Sequence, residues 1–129
     1  MNKISVASIL IISLIACNKP DNNNQDLVTE KPVIIIYYPA AYENYQPGQQ
    51  LCFKALLEDD HYLKRVFVSI KDQVKPIKQY EFFPGSRIFI VDEKYIIPEH
   101  LSGSLTLEFE AHDNQGNSAK IKLPLSVKL

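Results

Sequence analysis

The segment from Ser104 to Leu129 constrains the fold of this chain more than any other, because it reads as two strands held in one register. Ser104 to His112 places Leu105, Leu107, Phe109 and Ala111 on one side, and Ser118 to Leu129 repeats the pattern with Ala119, Ile121, Leu123, Leu125 and Val127. A period of two is that of a strand, and neither stretch keeps the 3.6-residue period of a helix. Between them lies Asp113-Asn114-Gln115-Gly116-Asn117, a five-residue turn with Gly116 placed to take a positive φ. Closing that turn symmetrically pairs residues whose numbers sum to 230. Glu110 then faces Lys120 and Glu108 faces Lys122 on the outer face, while Phe109 meets Ile121 inside. Two opposite-charge pairs add a few tenths of a kcal/mol each and, more usefully, fix the register. Pro124 has no N–H for a ladder, which predicts an edge or a bulge at that point.

The rest of the chain from Pro32 follows the same grammar. Val33 to Tyr38 is a continuous β-prone run stopped by Pro39. Gln50 to Glu58 alternates with Leu51, Phe53, Ala55 and Leu57 on one face, and Lys64 to Lys71 alternates with Val66, Val68 and Ile70 inward. Ile88 to Val91 and Tyr95 to Ile97 are shorter candidates. Short apolar runs punctuated by Pro, Gly, Asn and Asp predict an all-β domain. A chain of 129 residues has room for one such domain, and residues 32–129 have the size of a single sandwich.

The amino-terminal part has a different character. Lys3 is followed by the uncharged, largely apolar run Ile4 to Ala16, which reads as a signal peptide over residues 1–16. Thirteen helical residues span roughly 20 Å, short of a ~30 Å hydrocarbon core, so a transmembrane helix is the weaker reading. The run ends in Leu14-Ile15-Ala16-Cys17, which resembles the lipobox of bacterial lipoproteins. That resemblance implies diacylglyceryl transfer to the Cys17 thiol, cleavage between Ala16 and Cys17, and fatty acylation, palmitate included, of the new amino terminus. Several acyl chains anchor stably, because each buried methylene contributes about 0.8 kcal/mol. With Cys17 lipidated, Cys52 has no partner for a disulfide within the chain, and it is expected as a buried or half-buried strand residue. Residues 17–31 are polar apart from the cysteine and a short Leu27-Val28 pair, and are expected to form a disordered tether. From Asn18 to Lys31 it would reach about 45 Å extended and nearer 20 Å as a coil. The expected place of the protein is the bacterial cell envelope, lipid-anchored, on the outer membrane and facing the periplasm or the surface.

Together these features resemble the immunoglobulin-like or cadherin-like domains of bacterial surface lipoproteins, specifically a family of small lipoproteins of unknown function. The residues carrying the resemblance are the lipobox and tether, Gly48, and Asp60 followed by Leu63 and Val66-Phe67-Val68. Ile97-Pro98, Gly103 and the stretch from Ala111-His112-Asp113 to Gly116-Asn117 complete it. The resemblance implies an immunoglobulin-like antiparallel β-sandwich of about seven strands, and no particular activity. The chain departs from that family's histidine-rich versions in having three histidines, and it lacks the buried Trp and cysteine pair of antibody domains.

Candidate sites are few. Removing residues 1–16 takes away Lys3 alone, leaving thirteen basic against fifteen acidic side chains, a net charge of −2. With no basic stripe, a nucleic-acid partner is not expected. In an immunoglobulin-like sandwich the loop between the second and third strands lies beside the last hairpin turn. That placement gathers Asp59, Asp60 and His61 near His112, Asp113 and Asn114, a donor set suited to Ca²⁺ or Zn²⁺. The same residue types also occupy turns to bond local backbone, and His112 falls on the outer face of its strand; the turn role is the expectation, with no resident metal or cofactor.

Four tyrosines stand in the nine residues from Tyr37 to Tyr45. Tyr42 and Tyr45 are candidate anchors for a protein or glycan partner, while a core place for Tyr37 or Tyr38 is the competing use. The first strand would run away from the tether, putting Tyr42 and Tyr45 at the end far from the membrane and the Asp/His loops near it. Ser102 and Ser104 beside His100 lack an orienting acid and a nucleophile elbow, so no catalytic residue is assigned and no enzyme is expected. The leading expectation is a non-catalytic binding or assembly module at the envelope, and the alternative is a metal-binding envelope module using the Asp/His end.

Overall fold

A computed structural model describes residues 30–129. Residues 1–29, with the expected signal peptide, Cys17 and the expected tether up to Thr29, lie outside the described residues. Seven strands follow in chain order: β1 (Val33–Tyr38), β2 (Asn44–Tyr45), β3 (Gln50–Lys71), β4 (Pro76–Phe82), β5 (Ser86–Ile96), β6 (Gly103–Asp113) and β7 (Ser118–Val127). Every pairing is antiparallel except that of β2 with β7, which is parallel. Among the described residues no helix is long and apolar enough to cross a membrane.

One strand builds both layers. The first half of β3 pairs with β1 on one side and β5 on the other, from Gln50 to Glu58. Its second half, from Leu63 to Lys71, pairs with β4 and β6, and β7 and β2 extend that second sheet. The inner faces meet in an apolar core in which Leu51, Phe53, Ala55 and Leu57 of the first sheet oppose Val66, Val68, Leu107 and Phe109 of the second. Phe53 marks the centre, edge-on to Phe109 across the layers at 6.2 Å and to Tyr80 of β4 at 5.6 Å. The domain is therefore an immunoglobulin-like β-sandwich of seven strands.

Three segment assignments differ from the sequence reading. The alternation predicts two strands separated by a loop at residues 59–63, whereas β3 runs through this stretch as a bend. Its register shifts fall between Glu58 and Leu63 and between Leu63 and Arg65. Leu63 is fully buried and pairs with both Ser86 and Asp113, so backbone groups in the bend stay bonded to protein rather than water. The run at 88–91 and the Tyr95-Ile96 part of the second run are one element, β5, because Val91 and Tyr95 keep to the inner side through the charged Asp92-Glu93-Lys94; Ile97 lies just beyond it. Strand β4 is not expected from the sequence: Ile77, Tyr80 and Phe82 pack against the core without regular alternation, and Lys78 lies with its ammonium 5.1 Å from the Tyr80 ring centroid.

The β6–β7 hairpin keeps the 230 register throughout, including Glu110 with Lys120, Glu108 with Lys122 and Phe109 with Ile121. Glu110 meets Lys120 straight across at 3.7 Å, whereas Glu108 pairs diagonally rather than with Lys122. Glu108, only 5% exposed, takes Lys71 of β3 at 3.0 Å and Lys120 at 3.3 Å. Burial works to raise its pKa, yet the two ammonium groups outweigh burial and hold it below the ordinary value. Pro124 sits where β7 turns its backbone away from β6, since its carbonyl accepts from the Tyr42 N–H. The missing N–H therefore costs the β6 ladder nothing. Cys52 is a free, half-buried strand residue, as the sequence implied.

Candidate functional site

The two ends of the sandwich carry the polar and aromatic residues singled out above. β1 starts beside Glu58, next to the bend that holds Asp59, Asp60 and His61. After β1 the chain crosses through a cis Tyr38–Pro39 bond to the opposite sheet, where β2 aligns with Ser126 and Val127 of β7. The two candidate clusters thus lie at opposite ends.

At the crossing, Tyr42 adopts φ 64°, a region that a bulky side chain occupies only under constraint. The constraint is visible. The Tyr42 N–H donates to the Pro124 carbonyl at 2.6 Å, the Ser126 N–H to the Glu43 carbonyl at 3.1 Å and the Lys128 N–H to the Tyr45 carbonyl at 2.8 Å. Ser126 Oγ also donates to Asn44 Oδ1. The ring so held is 77% exposed. Beside it runs an open groove of about 600 Å³ bordered by Tyr42, Asn44, Ser104, Pro124, Ser126 and Lys128.

The neighbouring tyrosines divide differently from the expectation. Tyr45 is 7% exposed and belongs to the core, its hydroxyl pushed up to about 12 by burial and by Glu43. It has little surface left for a partner. Tyr37 and Tyr38, the sequence candidates for burial, are exposed instead. Strand phase puts Ile34 and Ile36 inward and Tyr37 outward, a register shift between Ile36 and Tyr38 takes Tyr38 out of the inner row, and the parallel β2 turns Tyr45 toward the core.

At the other end, Asp59, Asp60 and His61 bring one donor atom each within 4.8 Å of one another. Asp59 Oδ2 accepts from the His61 backbone N–H at 2.9 Å, while its Oδ1 is buried without a hydrogen-bond partner. His61 Nδ1 stands 3.1 Å from Asp60 Oδ1 but is poorly aligned for a hydrogen bond. Burial, with Asp113 and Asp60 nearby, raises the Asp59 pKa; the His61 ring holds that of Asp60 down.

The hairpin residues meet this bend without joining the trio. The Asn114 N–H donates to the Tyr62 carbonyl at 3.1 Å. Asp113 Oδ1 accepts from the Gln115 and Asn117 N–H groups at 2.8 Å each, and Oδ2 accepts from Asn117 Nδ2 at 2.9 Å. Its carboxylate is thus committed to the turn. His112 is outside the trio as well, with Nε2 2.9 Å from Glu110 Oε1 and its ring edge-on to Phe67. Of the six residues gathered for a cation, Asp59, Asp60 and His61 converge, Asp113 and Asn114 belong to the turn and His112 to the outer sheet face. Ser104 pairs with Ser126 in the hairpin ladder.

No family model and no curated protein matches this chain. Solved structures do share its fold. It is similar to the fibronectin(III)-like modules of CbhA from Clostridium thermocellum, with TM-score 0.52 and 16% identity, covering 74% of this chain and 96% of that one. It is similar to the superoxide reductase (neelaredoxin) of Ignicoccus hospitalis, with TM-score 0.54 and 12% identity over 78% and 82% of the two chains. A third likeness, to the sporulation control protein Spo0M of Bacillus subtilis, has TM-score 0.52 and 10% identity, over 78% of this chain and 50% of that one. At such identities these likenesses define a class, the immunoglobulin- and fibronectin-III-like β-sandwiches, and no ligand.

Proposed function

We propose that this protein is a lipid-anchored lipoprotein of the bacterial envelope whose sandwich is a non-catalytic binding or assembly module, offering Tyr42 to a protein or glycan. The observation carrying the binding role is the Tyr42 ring, 77% exposed on a backbone held at φ 64°. Such strain costs on the order of 1–3 kcal/mol and persists only where surrounding contacts impose it, as at ligand clamps. A flat ring with a hydroxyl tip suits stacking on a sugar or anchoring in a protein pocket. Wild type and Tyr42→Ala are compared by glycan array and by pull-down from envelope extract. The variant is expected to lose about tenfold or more in capture of its main partner. An unchanged partner set overturns the binding role of Tyr42.

The anchor rests on Leu14-Ile15-Ala16-Cys17. Cells fed a clickable palmitate analogue are expected to label the wild type and not Cys17→Ser, which moves to the soluble fraction. Label that survives the substitution, or no label at all, sinks the anchor. Because β1 begins at the Asp/His end, a tether entering there leaves Tyr42 at the far end.

A second reading, a divalent cation at the bend, has one observation in its favour: the buried, unpartnered Asp59 Oδ1 within reach of Asp60 and His61. A carboxylate whose folded pKa is raised opposes folding at neutral pH, and that cost is relieved as pH falls through the raised value. Asp59→Asn is therefore expected to stabilise the metal-free domain at pH 7 by about 0.5 kcal/mol, a small gain because solvent screens the cluster. The check is a urea titration. Calorimetric titration with Ca²⁺ and with Zn²⁺ then decides: heat that Asp59→Asn abolishes supports the cation, and no heat ends it.

A further inference from the structure

We infer that this domain self-associates face to face through the outer surface of the β1–β3–β5 sheet, as a two-fold dimer centred on Leu56. The run Val33 to Tyr38 contains no charged residue, so β1 is apolar on both faces although only one can enter the core. Its outward residues Val33, Ile35 and Tyr37, with Ile88 and Ile90 of β5, are between 44% and 58% exposed. Register makes them one surface: Ile35, Leu56 and Ile90 form a row across the three strands, and Val33 and Ile88 flank Glu58 in the next row. The opposite outer face is charged, carrying Arg65, Lys71, Glu108, Glu110 and Lys120.

Half-exposed side chains of this size offer on the order of 100 Å² each. The five apolar residues of β1 and β5 named above then make a patch of roughly 500 Å², within the range for the largest apolar patch on a monomer. With the interleaved polar residues it approaches the ~800 Å² per partner of a stable protein interface. An aligned sheet-on-sheet contact ~10 Å thick is the natural way for such a face to be covered.

The charges of this face, Lys54 and Glu58 on β3 with Asp92 and Lys94 at the β5 side, point to a second copy as the occupant. Lys54 and Glu58 lie two residues either side of Leu56, on the same face of the same strand. Lys54 is laid along that face, its ammonium 5.9 Å from the Tyr37 ring centroid. A two-fold axis in the interface plane, across the strands through Leu56, sets Glu58 opposite Lys54 of the second copy, and does so twice. The other in-plane arrangement, with the axis along the strands, opposes Glu58 with Glu58 and Lys54 with Lys54, which like-charge repulsion disfavours. The contact is isologous and closes at two copies. Tyr42 and the Asp/His bend remain uncovered at the ends of the dimer.

The test uses the full chain in cells, as two differently tagged copies, with a photo-cross-linking amino acid in place of Ile90. Illumination is expected to yield a species carrying both tags. Lys54→Glu or Glu58→Lys alone should lower its yield roughly tenfold, whereas the double exchange restores it, since opposite charges again face one another. Urea titration of each variant, with midpoints expected to match wild type, separates loss of association from loss of folding. Absence of the two-tag species, cross-links only to another protein or to lipid, or failure of the double exchange to restore the yield each overturn the inference.

Discussion

Phe53→Ala is expected to lower the stability of the domain by about 3–5 kcal/mol, the range for removing a buried aromatic ring. Phe53 is fully buried at the middle of the first half of β3, and its ring is the contact between layers. It meets Tyr80 at 69° and Phe109 at 75°, the edge-to-face geometry that adds to the area term. Those neighbours belong to β4 and β6, both fixed by ladders to the other half of β3, so the cavity cannot collapse without breaking the register. A domain of this size has about 5–15 kcal/mol in total, so the variant is close to unfolding. Urea titration of a soluble form should show the midpoint falling with an unchanged slope, and Phe53→Leu should lose less than half as much. A loss under about 1.5 kcal/mol would mean that the layers do not pack through this ring.

The second large effect is at the hairpin turn. Asp113→Ala is expected to cost about 2–4 kcal/mol, because the carboxylate accepts two backbone N–H groups and one side-chain amide while only 3% exposed. Water can reach the exposed Gln115 more readily than the half-buried Asn117, so the loss falls mainly on the Asn117 donors. The damage should spread to the bend of β3, which the turn holds through Asn114 and Tyr62. Amide exchange of residues 59–63 and 113–117 should speed up more than that of the β1–β3 ladder.

Acid gives the same site a sign. Burial alone would raise Asp113, but the donors from Asn117 and Gln115 outweigh it and hold the group below its ordinary 3.8. A depressed folded pKa contributes stability that is present above 3.8 and lost as pH falls through the folded value. Glu108 behaves likewise, against its ordinary 4.5. The wild type should therefore lose stability below about pH 4, and Asp113→Ala should show a shallower acid loss.

How far the sequence foretold this arrangement differs from element to element. In the β6–β7 hairpin, strand period, turn composition and charge pairs all pointed to one register, and every pair holds. The partner of Glu108 was less legible, because Lys71 comes from β3 and its approach depends on which strands become neighbours. Strand β4 escaped notice because an edge strand needs few inward apolar residues. Tyr42 carries no local sign of its positive φ, which arises from the Pro124 carbonyl some eighty residues along the chain.

Alternating side chains are a local property, so the amino-acid order alone determined the all-β class, the last hairpin and its register. It also placed the Asp/His residues and Tyr42 at opposite ends. Which face of β1 is buried, which tyrosine enters the core, and the unbroken course of β3 through its bend were decided only in the tertiary structure. Each depends on two layers competing to cover the same apolar surface, and that competition is settled by residues far apart in the chain. An order of residues states what each strand can bury; packing selects what it does bury.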